Sequence, residues 1–559
     1  VGCASGIALL VLGLRLHVAD GQVSFLPYLD QWEAEVAGLL GPMAHGTLGW
    51  RDFFAPNNEH RVVLTRLLSW LTVLANGEWD NRVMVVLGFL FQAGAIAGVA
   101  ALALRTLGAI RGGLVALAAL WPALLVCDWE NVVSGFQSQF HIMILGSLAA
   151  FALLPRAWSH RGWRWAVWAL ALALLGSMAS GLFAAAALAA ATLIFWGWLI
   201  HLPGEPPYDR GKSPQPRTGS AARSTPGSST RSAIGFAAGC VAIAAFGALT
   251  RPTFTLLDSL HAHRLSEFIS ALFAYGAWPL PPNGIALVLL WLPWGLLTAR
   301  LVRRTPAFNL SPAAPVDALA PFAPFAWCLG LWVLLQVATL AWARAGLLPL
   351  VSSRYTEVLA WGAVANAACL MVILPSAGSN RRVLLAQIAL VALWFGAAGG
   401  YEAWRSAAIY RPFFVSFRGQ TLRQEQRLET FIRTDDRRSL ETLQIPDVPY
   451  FAARIIPLMR DPGIAVLLPA PLRRARAERV GSMALARGGS SDPDIARTLD
   501  GARPWAHGAR EEPLTRAAGW LLTHGPLVAA LGGVQLVATG VMAILRRRGR
   551  PLDPTDLAG

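Results

Sequence analysis

Charge is scarce in this chain. Asp, Glu, Lys and Arg together make up 14% of its 559 residues, against roughly 25% in an ordinary soluble domain. Lysine is nearly absent: Lys212 stands alone, so the net charge of +15 is carried by arginine. The arginines fall in short loops and build no basic stripe interleaved with aromatics, which argues against a nucleic-acid partner. Cysteine is equally sparse. Cys3, Cys127, Cys240, Cys328 and Cys369 lie in or beside apolar runs, with no CxxC pair. That pattern excludes a disulfide framework and a thiolate metal site. There is no P-loop, no GxGxxG opening a helix and no GxSxG elbow, so ATP-driven and dinucleotide-dependent chemistry lack support.

What fills the chain instead is apolar sequence, 55% of all residues, with a mean hydropathy of +0.48. Candidate spans cover 2–18, 83–104, 112–127, 137–154, 163–179, 181–201, 233–250, 284–302, 321–343, 357–376, 383–400 and 519–545. Runs of this length and number predict an all-α polytopic membrane protein with about twelve transmembrane helices. The pair 163–179 and 181–201 is separated only by a turn at Gly176, Ser177, Ser180 and Gly181. The chain opens on Val1 without a cationic leader, which reads against a cleaved signal peptide.

Arginines in the short loops set the orientation. With the N-terminus inside, every cytoplasmic loop carries them: Arg105 and Arg111, Arg156 to Arg164, Arg300 to Arg304, Arg381 and Arg382, and the run Arg546, Arg547, Arg548, Arg550. Both termini are then cytoplasmic in a multi-pass protein of the plasma membrane, with 546–559 as a cytoplasmic tail. Segment 202–231, rich in Pro, Gly and Ser, reads as a disordered cytoplasmic linker within a transmembrane region of 1–400. Loop 19–82 lies outside and holds an apolar stretch at 62–75 that is too short to span and contains Arg66, hence interfacial or re-entrant. A second amphipathic stretch, 256–276, lies on the same side. Residues 401–518 form a small extracytoplasmic domain before the last span, 519–545. Helical charge alternation at 420–443 and short apolar pieces at 445–470, bounded by Pro and Asp, predict a mixed α/β character.

Polar residues concentrate in the outside loops. PYLDQWEAE gives Asp30, Glu33 and Glu35; NNEHR gives Asn57, Asn58, Glu59, His60 and Arg61. Asp30 and Glu33 share a face if helical. They suit general-base work at the membrane surface, or they are solvated charges with Asp30 capping a helix across 31–40. Arg61 suits bidentate phosphate binding, and His60 proton exchange. CDWENVVSGFQSQFH supplies Asp128, Glu130, Gln137, Gln139 and His141, either facing a cavity or bonding helix to helix. LVSSRYTEV supplies Arg354, Tyr355 and Glu357, with Arg354 free to pair with a carboxylate or clamp a phosphate. The HxH of His261 and His263 is a weak metal signal, since residues two apart diverge on a helix; no metal site is expected.

The strings PYLDQWE, NNEHRVVLTRLL, WENVVSGFQSQF and SSRYTE, with an acidic first outside loop and an outside C-terminal domain, resemble GT-C-fold glycosyltransferases, a group that includes protein O-mannosyltransferases, aminoarabinose transferases and many bacterial relatives. The resemblance covers residues 1–400. It implies a sugar transferred from a polyprenyl-phosphate donor outside the cytoplasm, without nucleotide or cofactor, a divalent cation remaining compatible. Its partners would be the lipid-linked donor and membrane lipid. It implies a catalytic role for Asp30, then Glu33; Glu59, His60, Arg61, Glu130 and Arg354, by their residue chemistry, are the candidates for substrate binding. The chain departs from the group in having no adjacent Asp-Glu pair in the first loop and a span after its soluble domain. A transporter or lipid flippase, with polar sites near the midplane, and a non-enzymatic scaffold are the rival readings.

Overall fold

Backbone N–H and C=O groups in lipid have no water to bond, so an apolar chain there must satisfy them within each segment, as helix. A computed structural model describes residues 2–124, 126–199, 226–253, 255–303, 322–374, 381–441, 451–486 and 510–548. Among the described residues there is no strand, only one isolated bridge between Asn57 and His60. The helices that matter below are α1 (Gly2–Ala19), the π-wound α2 (Trp32–Leu40), α3 (Val63–Asn76), α4 (Asn81–Ala119), α5 (Ser138–Ser159), α6 (Arg161–Leu174), α7 (Leu182–Leu199) and α8 (Pro226–Leu249). They continue as α9 (Leu265–Gly276), α10 (Gly284–Arg303), α11 (Ala323–Ala343), α12 (Ser353–Ile373), α13 (Arg381–Arg405), α14 (Arg411–Thr434), α15 (Phe451–Arg460), α16 (Ala470–Ala486), α17 (Pro513–Thr523) and α18 (Gly525–Arg548).

Eight described helical stretches are long and apolar enough to cross a membrane: Gly2–Ala19, Asn81–Leu124, Gly135–Ser159, Ser232–Leu249, Gly284–Val302, Ala323–Ala343, Ser353–Ile373 and Gly525–Ala543. The second of these folds back on itself. Gly108 takes φ +79°, open to glycine and costly for other residues, and a Cβ on Gly112 would stand 2.6 Å from the Ala103 carbonyl oxygen. The two runs expected at 83–104 and 112–127 are therefore the two arms of one reversal. The interfacial stretches 62–75 and 256–276 are the short apolar helices α3 and α9. The linker 202–231 lies outside the described residues except for its last six, which open α8.

First and last helices pack side by side because both carry glycine at the contact. A Cβ on Gly13 would sit 2.1 Å from the Ala529 nitrogen, and one on Gly532 would sit 2.4 Å from the Leu10 nitrogen. Small residues let backbones approach where lipid gives no hydrophobic drive. A second lock is polar. Buried Arg15 of α1 donates to Gln92 at 2.7 Å, to the Pro122 carbonyl at 3.1 Å and to Asp128.

The chain is helical across the boundary expected at 400/401. Helix α13 passes through one π-wound turn, Ser406–Tyr410, directly into α14. At about 1.5 Å per residue this is a rod roughly 80 Å long, carrying the chain from the bundle into the polar domain. That domain corrects the α/β expectation. The pieces at 445–470 are helix α15 and a turn at Pro462–Ala465 where described, and 442–450 lie outside the described residues. Ile455 and Met459, four apart on α15, are buried, as are Ile464 in the next short turn of helix and Leu467 and Leu468 in the loop after it.

The domain and the first loop share one core. Leu26, Trp32, Val36 and Trp79 pack in a single cluster with Leu428, Phe431, Ile456 and Leu467. Polar ties surround it: Arg473 to Glu78 at 2.6 Å, Ser24 to Glu425 at 2.6 Å and His45 to Asp461 at 2.8 Å. Loop 19–82 and the described parts of 401–486 therefore lie on the same end of the bundle.

Candidate functional site

Under this shared cap lies a cavity of about 330 Å³. Its first wall is the segment before α2. Leu29 holds φ +44°, a left-handed value that a branched side chain adopts only at a cost. The reversal there turns the next residue, Asp30, into the cavity. Asp30 does not cap α2: the cap position is Gln31, which makes no side-chain capping bond. Its carboxylate instead accepts from Asn58 Nδ2 at 3.3 Å. Asn58 sits in a tight turn closed by reciprocal Asn57–His60 backbone bonds of 2.9 and 3.0 Å. Its own φ of +52° is one that asparagine tolerates.

The same turn presents His60. Its Nδ1 accepts from the Ala179 N–H at 3.3 Å, which leaves the proton on Nε2 in the neutral ring. Burial, with Arg344, Arg251 and Arg354 nearby, lowers its pKa to about 4. His60 is therefore a neutral donor at physiological pH.

The opposite wall is cationic. Arg344 follows the end of α11, Arg354 opens α12, and Arg454 reaches in from α15; all three line the cavity. Each is held in place. Arg344 Nη1 bonds Glu59 at 3.1 Å and its Nε bonds the Tyr355 hydroxyl at 3.1 Å. Glu59 is also paired with Arg251 at 2.7 Å. Burial works to raise the Glu59 carboxyl, but Arg344 and Arg251 outweigh it and keep the pKa below its ordinary value. Glu130 does the same service for Arg354. It accepts from the Ser353 hydroxyl at 2.5 Å, the Ser352 hydroxyl at 3.0 Å and the Arg354 backbone N–H at 3.1 Å, and it stands 3.3 Å from the Arg354 guanidinium. Arg454 is paired with Glu33.

Among these carboxylates Asp30 differs. Glu59, Glu130 and Glu33 are each committed to an arginine, whereas half-buried Asp30 is bonded by asparagine side chains, Asn58 at 3.3 Å and Asn57. Burial raises its pKa, with the Arg354 charge acting in the other direction. A carboxylate with raised basicity, facing fixed cations, suits proton abstraction beside a departing anion.

The sequence candidates separate accordingly. Asp30, Glu33, His60 and Arg354 line the cavity, while Glu59 and Glu130 stand one bond behind it and orient its arginines. Arg61 is elsewhere, donating to the Phe54 carbonyl at 2.7 Å and the Thr250 carbonyl at 3.4 Å. The residues that sequence reasoning missed are Arg344, Arg251 and Arg454. A signal existed for two: Arg251 and Arg344 directly follow spans at the end expected to be poor in cations. His261 lies 3.7 Å from both Glu59 and Asp258. No cluster of three metal-ligand side chains occurs among the described residues.

Deeper in the bundle, Glu357 is buried with three partners: Gln92 at 2.8 Å, Asn131 at 3.0 Å and His141 at 3.2 Å. Through Gln92 this set joins Arg15 and Asp128. Within 128–141, Asp128, Asn131 and His141 thus serve helix-to-helix bonding, Glu130 holds Arg354, and Gln139 lines the cavity. Comparison of the chain with family models, curated proteins and solved structures finds no match.

Proposed function

We propose that the chain is a GT-C-like glycosyltransferase that moves a sugar from a polyprenyl-phosphate donor to an acceptor hydroxyl at the outer face of the plasma membrane. The observation that carries this reading is one carboxylate, Asp30, held by asparagine amides and not by an arginine, in a cavity whose opposite wall is cationic. In the reaction Asp30 takes the acceptor's proton as its oxygen bonds the anomeric carbon. The bond from that carbon to the phosphate oxygen breaks, and the polyprenyl phosphate leaves with the electron pair. Arg344 and Arg354, with the His60 Nε2–H, stabilise the charge that develops on the leaving oxygen. Pairing with Glu59 and Glu130 fixes the two guanidinium groups before substrate arrives, which removes their ordering cost from the reaction. Glu33, engaged by Arg454, is the second carboxylate of the site. In this reading the charge pattern of the short loops sets about twelve spans with both termini cytoplasmic.

The test is transfer from a synthetic polyprenyl-phosphate sugar by the purified chain. Turnover that is lost in Asp30→Asn while donor binding persists supports the proposal; full activity in that variant overturns it. One observation favours a transporter instead: the buried Asp128–Arg15–Gln92–Glu357–His141 chain, a polar run of the kind found at translocation sites. Solute flux in liposomes without any donor consumption would select that reading.

A further inference from the structure

A second cavity, of about 490 Å³, adjoins the first. Leu29, Leu347 and Arg354 line both, so the two meet one residue from Asp30. Its size falls in the range of roughly 300–1,000 Å³ typical of small-molecule sites. Its chemistry differs from that of the first. One wall is aromatic: Phe417 lies wedged between Tyr28 at 5.1 Å, edge to face, and Trp129 at 5.2 Å, with half-exposed Phe413 one turn earlier. The other feature is a line of neutral polar side chains. Ser416, Gln420 and Gln424 recur every four residues on α14 and line the cavity from that single face.

We infer that this second cavity is the acceptor subsite and takes a saccharide. The inference rests on the transferase reading and deepens it. Aromatic faces offer flat apolar contact to the C–H face of a sugar ring, and primary amides offer both a donor and an acceptor to its hydroxyls. A polyprenyl tail would use the rings but would strip water from two amides and return nothing. An anionic ligand would need free cations; the one guanidinium lining this cavity, Arg354, is paired with Glu130 at 3.3 Å and shared with the first cavity. Seated here, a saccharide meets the first cavity across Leu29 and Arg354. One of its hydroxyls then approaches Asp30 while the donor phosphate occupies the cationic wall.

The experiment uses the purified full chain. Binding of an array of defined neutral oligosaccharides is measured beside binding of undecaprenyl phosphate, for wild type, Gln420→Leu/Gln424→Leu and Phe413→Ala. All three side chains are partly exposed, and melting temperature checks the fold of each variant. The expected result is at least one oligosaccharide bound by wild type, its affinity about tenfold weaker in the glutamine variant, with undecaprenyl phosphate changed less than twofold. Phe413→Ala should weaken the same oligosaccharide. Undecaprenyl phosphate affinity that rises or falls in these variants, with saccharide binding unmoved, makes the cavity a tail groove and overturns the inference. So does a wild type that binds none of the array. A chain that binds an oligosaccharide through these glutamines, yet never consumes a polyprenyl-phosphate sugar, keeps the saccharide site and overturns the transferase reading alone.

Discussion

Glu35 gives the shared cap a pH dependence that can be worked out in advance. Its side chain is fully buried in α2, where it accepts from Trp79 Nε1 at 2.8 Å and from the Ser69 hydroxyl at 3.1 Å. Burial lifts its pKa from the ordinary 4.5 to about 7, the hydrogen bonds opposing. The folded value lies above the unfolded one, so the folded cap binds the extra proton between those limits. Stability is therefore greatest below pH 4.5, falls as pH rises to about 7, and is flat beyond. The span is worth roughly 3 kcal/mol, or about 300-fold in the opening equilibrium. Hydrogen-exchange protection of amides in 32–40 and 451–475, corrected for intrinsic rates, reads this directly. Asp80, whose pKa burial raises to about 6 with Arg82 opposing, adds a slope of the same sign, so the comparison with Glu35→Gln is what isolates Glu35. That variant keeps an acceptor for Trp79 and should remove most of the slope. Protection that is flat with pH in wild type, or a slope unchanged in Glu35→Gln, would refute the reasoning.

Three further outcomes follow from the packing and the site. Gly13→Leu should destabilise the α1–α18 contact by roughly 1–3 kcal/mol or more, seen as a lower melting temperature, while Gly94→Ala, with nothing within 4 Å of its Cβ, should leave it unchanged or raise it slightly. Arg344→Ala leaves Glu59 buried with one fewer partner and should cut kcat/KM for transfer by about 100-fold or more; Arg61→Ala, away from the cavity, should stay within about fivefold, and equal losses would relocate the site. Cysteines placed at Thr47 and Ser439 should both react with an impermeant maleimide in intact cells, since the loop and the domain share a core, and one at Ser220 should be protected. Protection at Ser439 with labelling at Ser220 inverts the topology.

The long apolar runs made the helices readable, because a lipid-facing segment has little choice of structure. The turn at Gly176 was legible because glycine and serine interrupt an otherwise unbroken run, and the break before 112 because Arg105 and Arg111 do; that the break is a reversal at Gly108 was not. The described part of 451–470 is helical up to Ala465 and irregular after it, and the face its buried residues cover, around Trp32 and Trp79, is not evident from the sequence; 445–450 lie outside the described residues. Half of the site was legible. Asp30 and His60 announce themselves as polar residues in a loop at the membrane surface, and Arg354 does so at the mouth of a span. Arg344 shows itself only by following a span at the end expected to be poor in cations, and Arg454 not at all, because what brings them to Asp30 is contact across more than 300 residues of chain. Nor does the sequence distinguish a carboxylate that reacts from one that positions an arginine. Glu59 and Glu130 look like Asp30 until their partners are placed.

The central claim, that Asp30 is the base of a sugar transfer, is tested most directly by single-turnover transfer from a polyprenyl-phosphate sugar in wild type, Asp30→Asn and Glu33→Gln. The amide keeps the shape and can still bond Asn58, but it cannot take the proton. The account predicts a rate lower by roughly 10²–10⁴-fold in Asp30→Asn with donor affinity retained, and a small loss in Glu33→Gln. Activity in Asp30→Asn with a dead Glu33→Gln would move the base to Glu33, and full activity in both would contradict the mechanism.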